Sequence, residues 1–163
     1  MRVLVSDTSV VIDLERGGLL DSLFGLRLEF AVPDLLFRRE LGGPLGDQLI
    51  ALGLRVEELT DQELRRATTI NRAQARLSLP DAFAYTLAES RGWPLLTGDG
   101  DLRALAIAAG IETHGVLWVL DELDAQGAVA RALLHSGLTA IAAHPRCRLP
   151  AAQVRARLKK FEG

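Results

Sequence analysis

The chain has almost no lysine: of its 19 basic residues only Lys159 and Lys160 are lysines, and the other 17 are arginines. A phosphate-binding P-loop needs a lysine after its glycines, and a Schiff-base mechanism needs one in the core, so both are excluded. Cysteine is equally scarce. Cys147 stands alone, which rules out a disulfide or a cysteine-built zinc site within one chain and fits a reducing compartment. No stretch approaches the roughly 18 uninterrupted apolar residues of a membrane span. Asp7 interrupts the opening Val3-Leu4-Val5 before a signal-type apolar run develops, so a cytoplasmic location without membrane contact is expected. An excess of one charge is missing too. A net charge of −2 gives no global attraction to nucleic acid, and such a partner has to be held by a local basic patch or through metal ions.

What is present is the material of one ordinary domain, 163 residues of which 48% are hydrophobic. Arg2 to Ser6 reads as a buried first strand that ends at Asp7, with Thr8 or Ser9 placed to cap the helix that follows. Glu29 to Val32 reads as a second strand, and Pro33-Asp34 opens a helix that stops at Gly42-Gly43-Pro44. Asp47 to Leu52 is helical, Arg55 to Leu59 alternates as a third strand, and Thr60-Asp61-Gln62-Glu63 is a capping box for a long helix. Leu64, Ala67, Ile70, Ala73 and Leu77 form the apolar stripe of that helix. Pro80 opens the next helix, to about Ser90, and Pro94 to Thr97 is a fourth strand breaking into Gly98-Asp99-Gly100. A helix over Asp101 to Ala109, a fifth strand over Ile111 to Thr113, and helices from Val116 with breaks near Gly137 and Pro150 complete the chain. Short strands alternating with helices predict a parallel sheet covered on both faces, and such sheets bind ligands outside the carboxyl ends of their strands. The expected division is a core over residues 1–125 and a helical extension of the same domain over 126–163.

Four of the 21 acids hold informative positions. Asp7 and Asp99 each follow a strand directly, where a helix cap is the plain alternative. Glu40 has Leu36 and Phe37 at i−4 and i−3, beside the apolar face of its helix. It also sits in the last turn, where a negative charge opposes the helix dipole by roughly 0.3–1 kcal/mol, so solvation alone explains it poorly. Asp81 occupies the first turn after Pro80, with Ala84, Tyr85 and Ala88 making its face apolar. Buried carboxylates that converge without a cation repel one another, and all-oxygen sites usually hold hard divalent ions such as Mg²⁺ or Mn²⁺. Such ions lower the pKa of a bound water and neutralise charge on a phosphoryl group, so no His or Ser nucleophile is required.

Asp7-Thr8-Ser9 after the first strand, the glutamate of Pro33-Asp34-Leu35-Leu36-Phe37-Arg38-Arg39-Glu40-Leu41, then Leu79-Pro80-Asp81-Ala82 and Leu96-Thr97-Gly98-Asp99 together resemble the PIN domain. That domain occurs in the toxin halves of prokaryotic toxin–antitoxin pairs and in RNA-processing nucleases. The resemblance covers about residues 1 to 125. It implies a PIN-like three-layer α/β/α fold with a central five-stranded parallel sheet of order 3-2-1-4-5. It also implies an endoribonuclease that uses Mg²⁺ or Mn²⁺, with Asp7, Glu40, Asp81 and Asp99 as the metal-binding acids. Implied partners are an RNA substrate, an antitoxin protein if the chain is a toxin, and a second copy in a homodimer.

Ser9 and Thr97 match positions where such domains place a small hydroxyl near the metal, and Asp101 reads as the cap of its helix rather than as a supplementary acid. His114-Gly115-Val116-Leu117-Trp118, with Asp121-Glu122-Leu123 after it, is similar to a subgroup of prokaryotic PIN proteins, and His114 reads as packed structure. Arg38 and Arg39, directly before Glu40, are candidate RNA contacts, whereas Arg65, Arg72 and Arg76 read as a solvated helix face. Alternative readings are an RNA-processing nuclease without a toxin role and a PIN-like binding module without activity. Receiver and haloacid-type phosphoryl-transfer domains also place an Asp after the first strand, but the former need a late core lysine and the latter an Asp-x-Asp, where this chain has Asp7-Thr8-Ser9.

Overall fold

Leu4 and Val5 are wholly buried, as residues of a strand covered on both faces must be, and the computed structural model, which describes residues 1–163, places that strand at the centre of its sheet. The strands are β1 (Arg2–Ser6), β2 (Leu28–Pro33), β3 (Arg55–Glu57), β4 (Leu95–Leu96) and β5 (Thr113–His114). All are parallel and run in the order β3-β2-β1-β4-β5, the order the family resemblance implied. From β1 the chain adds β2 and β3 on one side and then crosses over to add β4 and β5 on the other. The reversal falls between β1 and β4, and a crevice opens there beyond their carboxyl ends.

Helices cover both faces: α1 (Thr8–Arg16), α2 (Leu20–Leu23), α3 (Asp34–Glu40), α4 (Pro44–Leu52), α5 (Asp61–Ala73), α6 (Leu79–Arg91), α7 (Gly100–Ala108), α8 (Val116–Ala125), α9 (Arg131–Ala143) and α10 (Ala151–Glu162). The capping box at Thr60 and Glu63 forms as its spacing predicts. The stripe of α5 is shorter than expected, because the helix ends at Ala73, which is exposed, and buried Leu77 lies in the turn beyond it. The strong apolar character of α6, with every residue from Ala82 to Ala88 buried, follows from its place against β1, β2 and α5.

Gly137 does not break the chain. It sits inside α9, and the interruption lies instead between α8 and α9, where Gly127 adopts a positive φ of 65°. A glycine in mid-helix costs about 1 kcal/mol relative to alanine, so its presence needs a reason. A Cβ at 137 would stand 2.6 Å from Leu19 Cδ1 and 2.9 Å from the Gly17 carbonyl oxygen, so the bare backbone of α9 is what lets it lie against the end of α1. Helices α9 and α10 add Leu134, Leu138, Ile141, Val154 and Phe161 to the common core. Ion pairs of Arg131 with Asp124, and of Arg157 and Lys160 with Asp121, tie them to α8. Gly137→Ala is expected to destabilise by about 1–3 kcal/mol despite its better helix propensity, because backbone at Gly17 cannot yield as a side chain can. Urea unfolding checks this, and a gain in stability would show that α9 docks otherwise.

Candidate active site

Three of the four candidate acids stand at helix N-termini on the carboxyl-end rim of the sheet. Asp7 follows β1 with extended backbone and is itself the cap of α1, accepting from the Val10 amide at 3.1 Å; neither Thr8 nor Ser9 serves as that cap. Asp99 caps α7 by accepting from the Leu102 amide at 2.9 Å. Asp101 is therefore not the cap expected of it: it is exposed in the first turn and lies 3.9 Å from Arg76 Nη1. Asp81 lies in the first turn of α6 and completes a reciprocal capping box with Ser78. That box was readable in Ser78-Leu79-Pro80-Asp81, although Pro80 is the more conspicuous start signal.

The hydroxyls expected near the acids join them. Asp7 is 1% exposed. Its Oδ2 accepts from Thr97 Oγ1 at 2.5 Å and its Oδ1 from Ser9 Oγ at 2.7 Å. Thr97 Oγ1 in turn accepts the Asp99 amide, and Ser9 Oγ accepts the Gly98 amide at 2.9 Å. The turn after β1 is thus stitched to the turn after β4 through two side-chain oxygens. Gly98 suits this approach, since a Cβ there would sit 3.0 Å from Ser9 Oγ and press on it.

Glu40, the last residue of α3, is exposed rather than buried beside the apolar face. Its Oε1 accepts from Thr8 Oγ1 at 2.8 Å, a contact the sequence reading did not single out. Arg38 and Arg39 are exposed in the same last turn, where positive charge suits the helix dipole.

Electrostatics bind the four acids into one group. Burial pushes the Asp7 carboxyl up from 3.8 to about 6, against the pull of the Thr97, Ser9 and Val10 hydrogen bonds, and the Asp81 charge adds to the rise. Burial also raises Asp81, offset by its Ser78 hydrogen bonds and reinforced by Asp99 and Glu40. Asp81 is accordingly the member that links the group, raised by Asp99 and Glu40 and itself raising Asp7. No three His, Cys, Asp or Glu side chains close into a ready ligand set: Asp7, Asp81 and Asp99 are held by hydrogen bonds at the starts of their helices, and Glu40 by Thr8. The donor chemistry nevertheless fits a hard divalent cation. Only oxygen is offered, and Asp81 Oδ1, Asp99 Oδ2 and Glu40 Oε2 accept no hydrogen bond.

A cleft of about 250 Å³ opens beside Ser9 and Asp99, with Arg16, Arg146 and Arg148 on its wall. His114 is packed structure, as read: its ring stacks on Trp118 with centroids 4.2 Å apart, and Nε2 lies 2.8 Å from Glu112 Oε2.

A family model described as a PIN domain matches residues 3–163, from β1 through α10. No curated protein matches the chain.

The Asp7 shift fixes a pH dependence. Because the folded value, about 6, lies above the ordinary 3.8, the stability contributed by the protonated group is fully present below about pH 3.8 and is lost as pH rises through 6. The loss at pH 7 is of the order of 3 kcal/mol. Asparagine keeps the cap and removes the charge, so Asp7→Asn in EDTA should melt above wild type at pH 7, with the difference vanishing below pH 4. Added Mn²⁺ should raise the wild type and leave the variant behind, since binding to the folded state stabilises it by mass action. Equal Mn²⁺ shifts in calorimetric melts would show that Asp7 holds no metal.

Proposed function

We propose, from the premise that the chain belongs to the PIN-domain family, a nuclease-type fold, that it is a divalent-metal-dependent endoribonuclease. Its substrate is RNA, hydrolysed at phosphodiester bonds, and Asp7, Glu40, Asp81 and Asp99 are the acids that hold Mg²⁺ or Mn²⁺. One observation carries this reading: on the carboxyl-end rim of the sheet the Asp7 and Asp81 carboxyls are both pushed up by burial, and nearby acids add to the rise, Asp81 on Asp7 and Asp99 and Glu40 on Asp81. A fold has little structural reason to assemble such repulsion, whereas a cation relieves it.

Bound there, one or two ions would supply the charge that neutralises a phosphodiester and lowers the pKa of an attacking water. The protein's own groups do the positioning. Thr97 and Ser9 fix the Asp7 carboxylate, and Thr8, the residue after Asp7, holds Glu40 by a hydrogen bond. The N-termini of α1, α6 and α7 turn their positive ends to the same place, which favours an anionic substrate as well as the acids. Arg38 and Arg39, in the same last turn of α3 as Glu40, serve as phosphate contacts. The retention of all four acids speaks against an inactive module. The cellular part of the proposal is a toxin that works as a homodimer and is restrained by an antitoxin protein. Co-purification with the product of an adjacent gene, and its release of activity on removal, tests that part.

Cleavage of single-stranded RNA should require Mg²⁺ or Mn²⁺. It should fall at least about a hundredfold, roughly 2.7 kcal/mol in barrier, in Asp7→Asn, Glu40→Gln, Asp81→Asn and Asp99→Asn. Asp47→Asn, at an exposed position on α4, should behave as wild type. End-labelled products should carry 5′-phosphate and 3′-hydroxyl termini. Activity that survives EDTA, or recovery of 2′,3′-cyclic phosphate, would overturn the proposal.

A further inference from the structure

Residues 144–150, which join α9 to α10, bring Arg146 and Arg148 to the wall of the cleft beside Ser9 and Asp99. A second cleft, of about 540 Å³, adjoins it, and Gly98, Arg148 and Leu149 line both. Its other walls include Arg103, Arg157 and the stacked His114–Trp118 pair, and no Asp or Glu lines it. Arg146 and Arg148 are exposed and have no carboxylate partner. Arg103 donates to the Thr97 carbonyl at 3.0 Å and likewise pairs with no acid, whereas Arg157 is engaged by Asp121. The first cleft is mixed, because Asp13 and Asp99 share it with Arg16.

Unpaired guanidinium groups around an acid-free groove repel each other and favour an anion, and their planar forks match phosphate oxygens. Aromatic rings interleaved with arginines are the combination on which single-stranded bases stack, while the bases of a duplex are already covered by one another. The geometry points to this groove as the seat of the RNA strand on one side of the scissile phosphate, positioned by Arg148, the arginine common to both clefts. The inference rests on the ribonuclease reading above. It assigns the end of the chain a part in substrate binding: α9 and α10, tied to Asp121 and Asp124, hold the segment between them against the rim that carries Asp99.

The test is steady-state cleavage of a fluorescent single-stranded RNA in Mg²⁺ over a range of salt. Arg148→Ala and Arg146→Ala should raise KM several-fold with kcat retained, and each should reduce the slope of log(kcat/KM) against log[salt] by about 0.7. Arg27→Ala should change neither, because Arg27 precedes β2 at the opposite end of the sheet. Mn²⁺ affinity and melting temperature should stay at wild-type values in every variant, which separates lost substrate contact from lost structure. In Trp93→Phe, which leaves Trp118 as the sole indole, RNA should quench the emission. A wild type that cleaves RNA while Arg148→Ala keeps its KM and salt slope, or while Trp118 emission ignores RNA, would overturn the groove and leave the ribonuclease reading standing. A wild type inactive on RNA with either metal would overturn that reading and the groove with it.

Discussion

A carboxylate buried to 1% exposure has to be compensated, and how Asp7 is compensated organises the carboxyl-end rim. Its oxygens receive one amide and two hydroxyls, and the hydroxyls come from different sides of the switch point, Ser9 from α1 and Thr97 from the end of β4. Removing either hydroxyl would therefore loosen the seam between the strands as well as the acid itself. The compensation is incomplete, since burial still holds the carboxyl near 6. Hydrogen bonds to neutral groups offset part of the desolvation and not the whole of it.

Capping and metal binding are usually set against each other as explanations of an acid after a strand, yet one geometry is compatible with both. A cap residue must lie at the start of a helix with its side chain turned back over the first amides. In a parallel sheet those starts sit at the carboxyl ends of the strands, where ligands bind. Asp7, Asp81 and Asp99 each satisfy their helices, and Asp81 and Asp99 do so with a single oxygen. The second oxygen remains available. Asparagine can replace the structural half of this arrangement and not the charged half, which is why isosteric neutralisation separates the two roles.

Most of the sheet was legible because parallel strands buried on both faces leave unbroken apolar runs, as in Val3-Leu4-Val5 and Phe30-Ala31-Val32. The strand order was legible only through the family resemblance, for nothing local in β4 says which side of β1 it joins. Gly137 misled for a physical reason: a glycine that ends a helix and one that admits a neighbouring backbone look alike until the neighbour is known. The misplaced caps follow from the same blindness to context. Thr8, Ser9 and Asp101 are all competent caps, and Asp7 and Asp99 win because the β1 and β4 turns deliver them one or two residues earlier. Burial was overestimated for Glu40, since α3 ends on the rim and its last turn projects beyond the core.

Least legible was the contribution of residues far from the motifs. Net charge near zero conceals the local arrangement, in which Arg146 and Arg148 of the 144–150 segment share a cleft with Asp13, Arg16 and Asp99. That proximity is produced by ordinary packing: apolar faces of α9 and α10 on the core, and ion pairs to α8 that are individually worth little at exposed sites. The near-absence of lysine then takes on meaning. On the proposed function, a phosphodiester between carboxylates and guanidinium groups needs partners that keep their charge beside acids and approach from fixed directions, and arginine meets both conditions where lysine, flexible and more easily deprotonated when desolvated, meets neither as well.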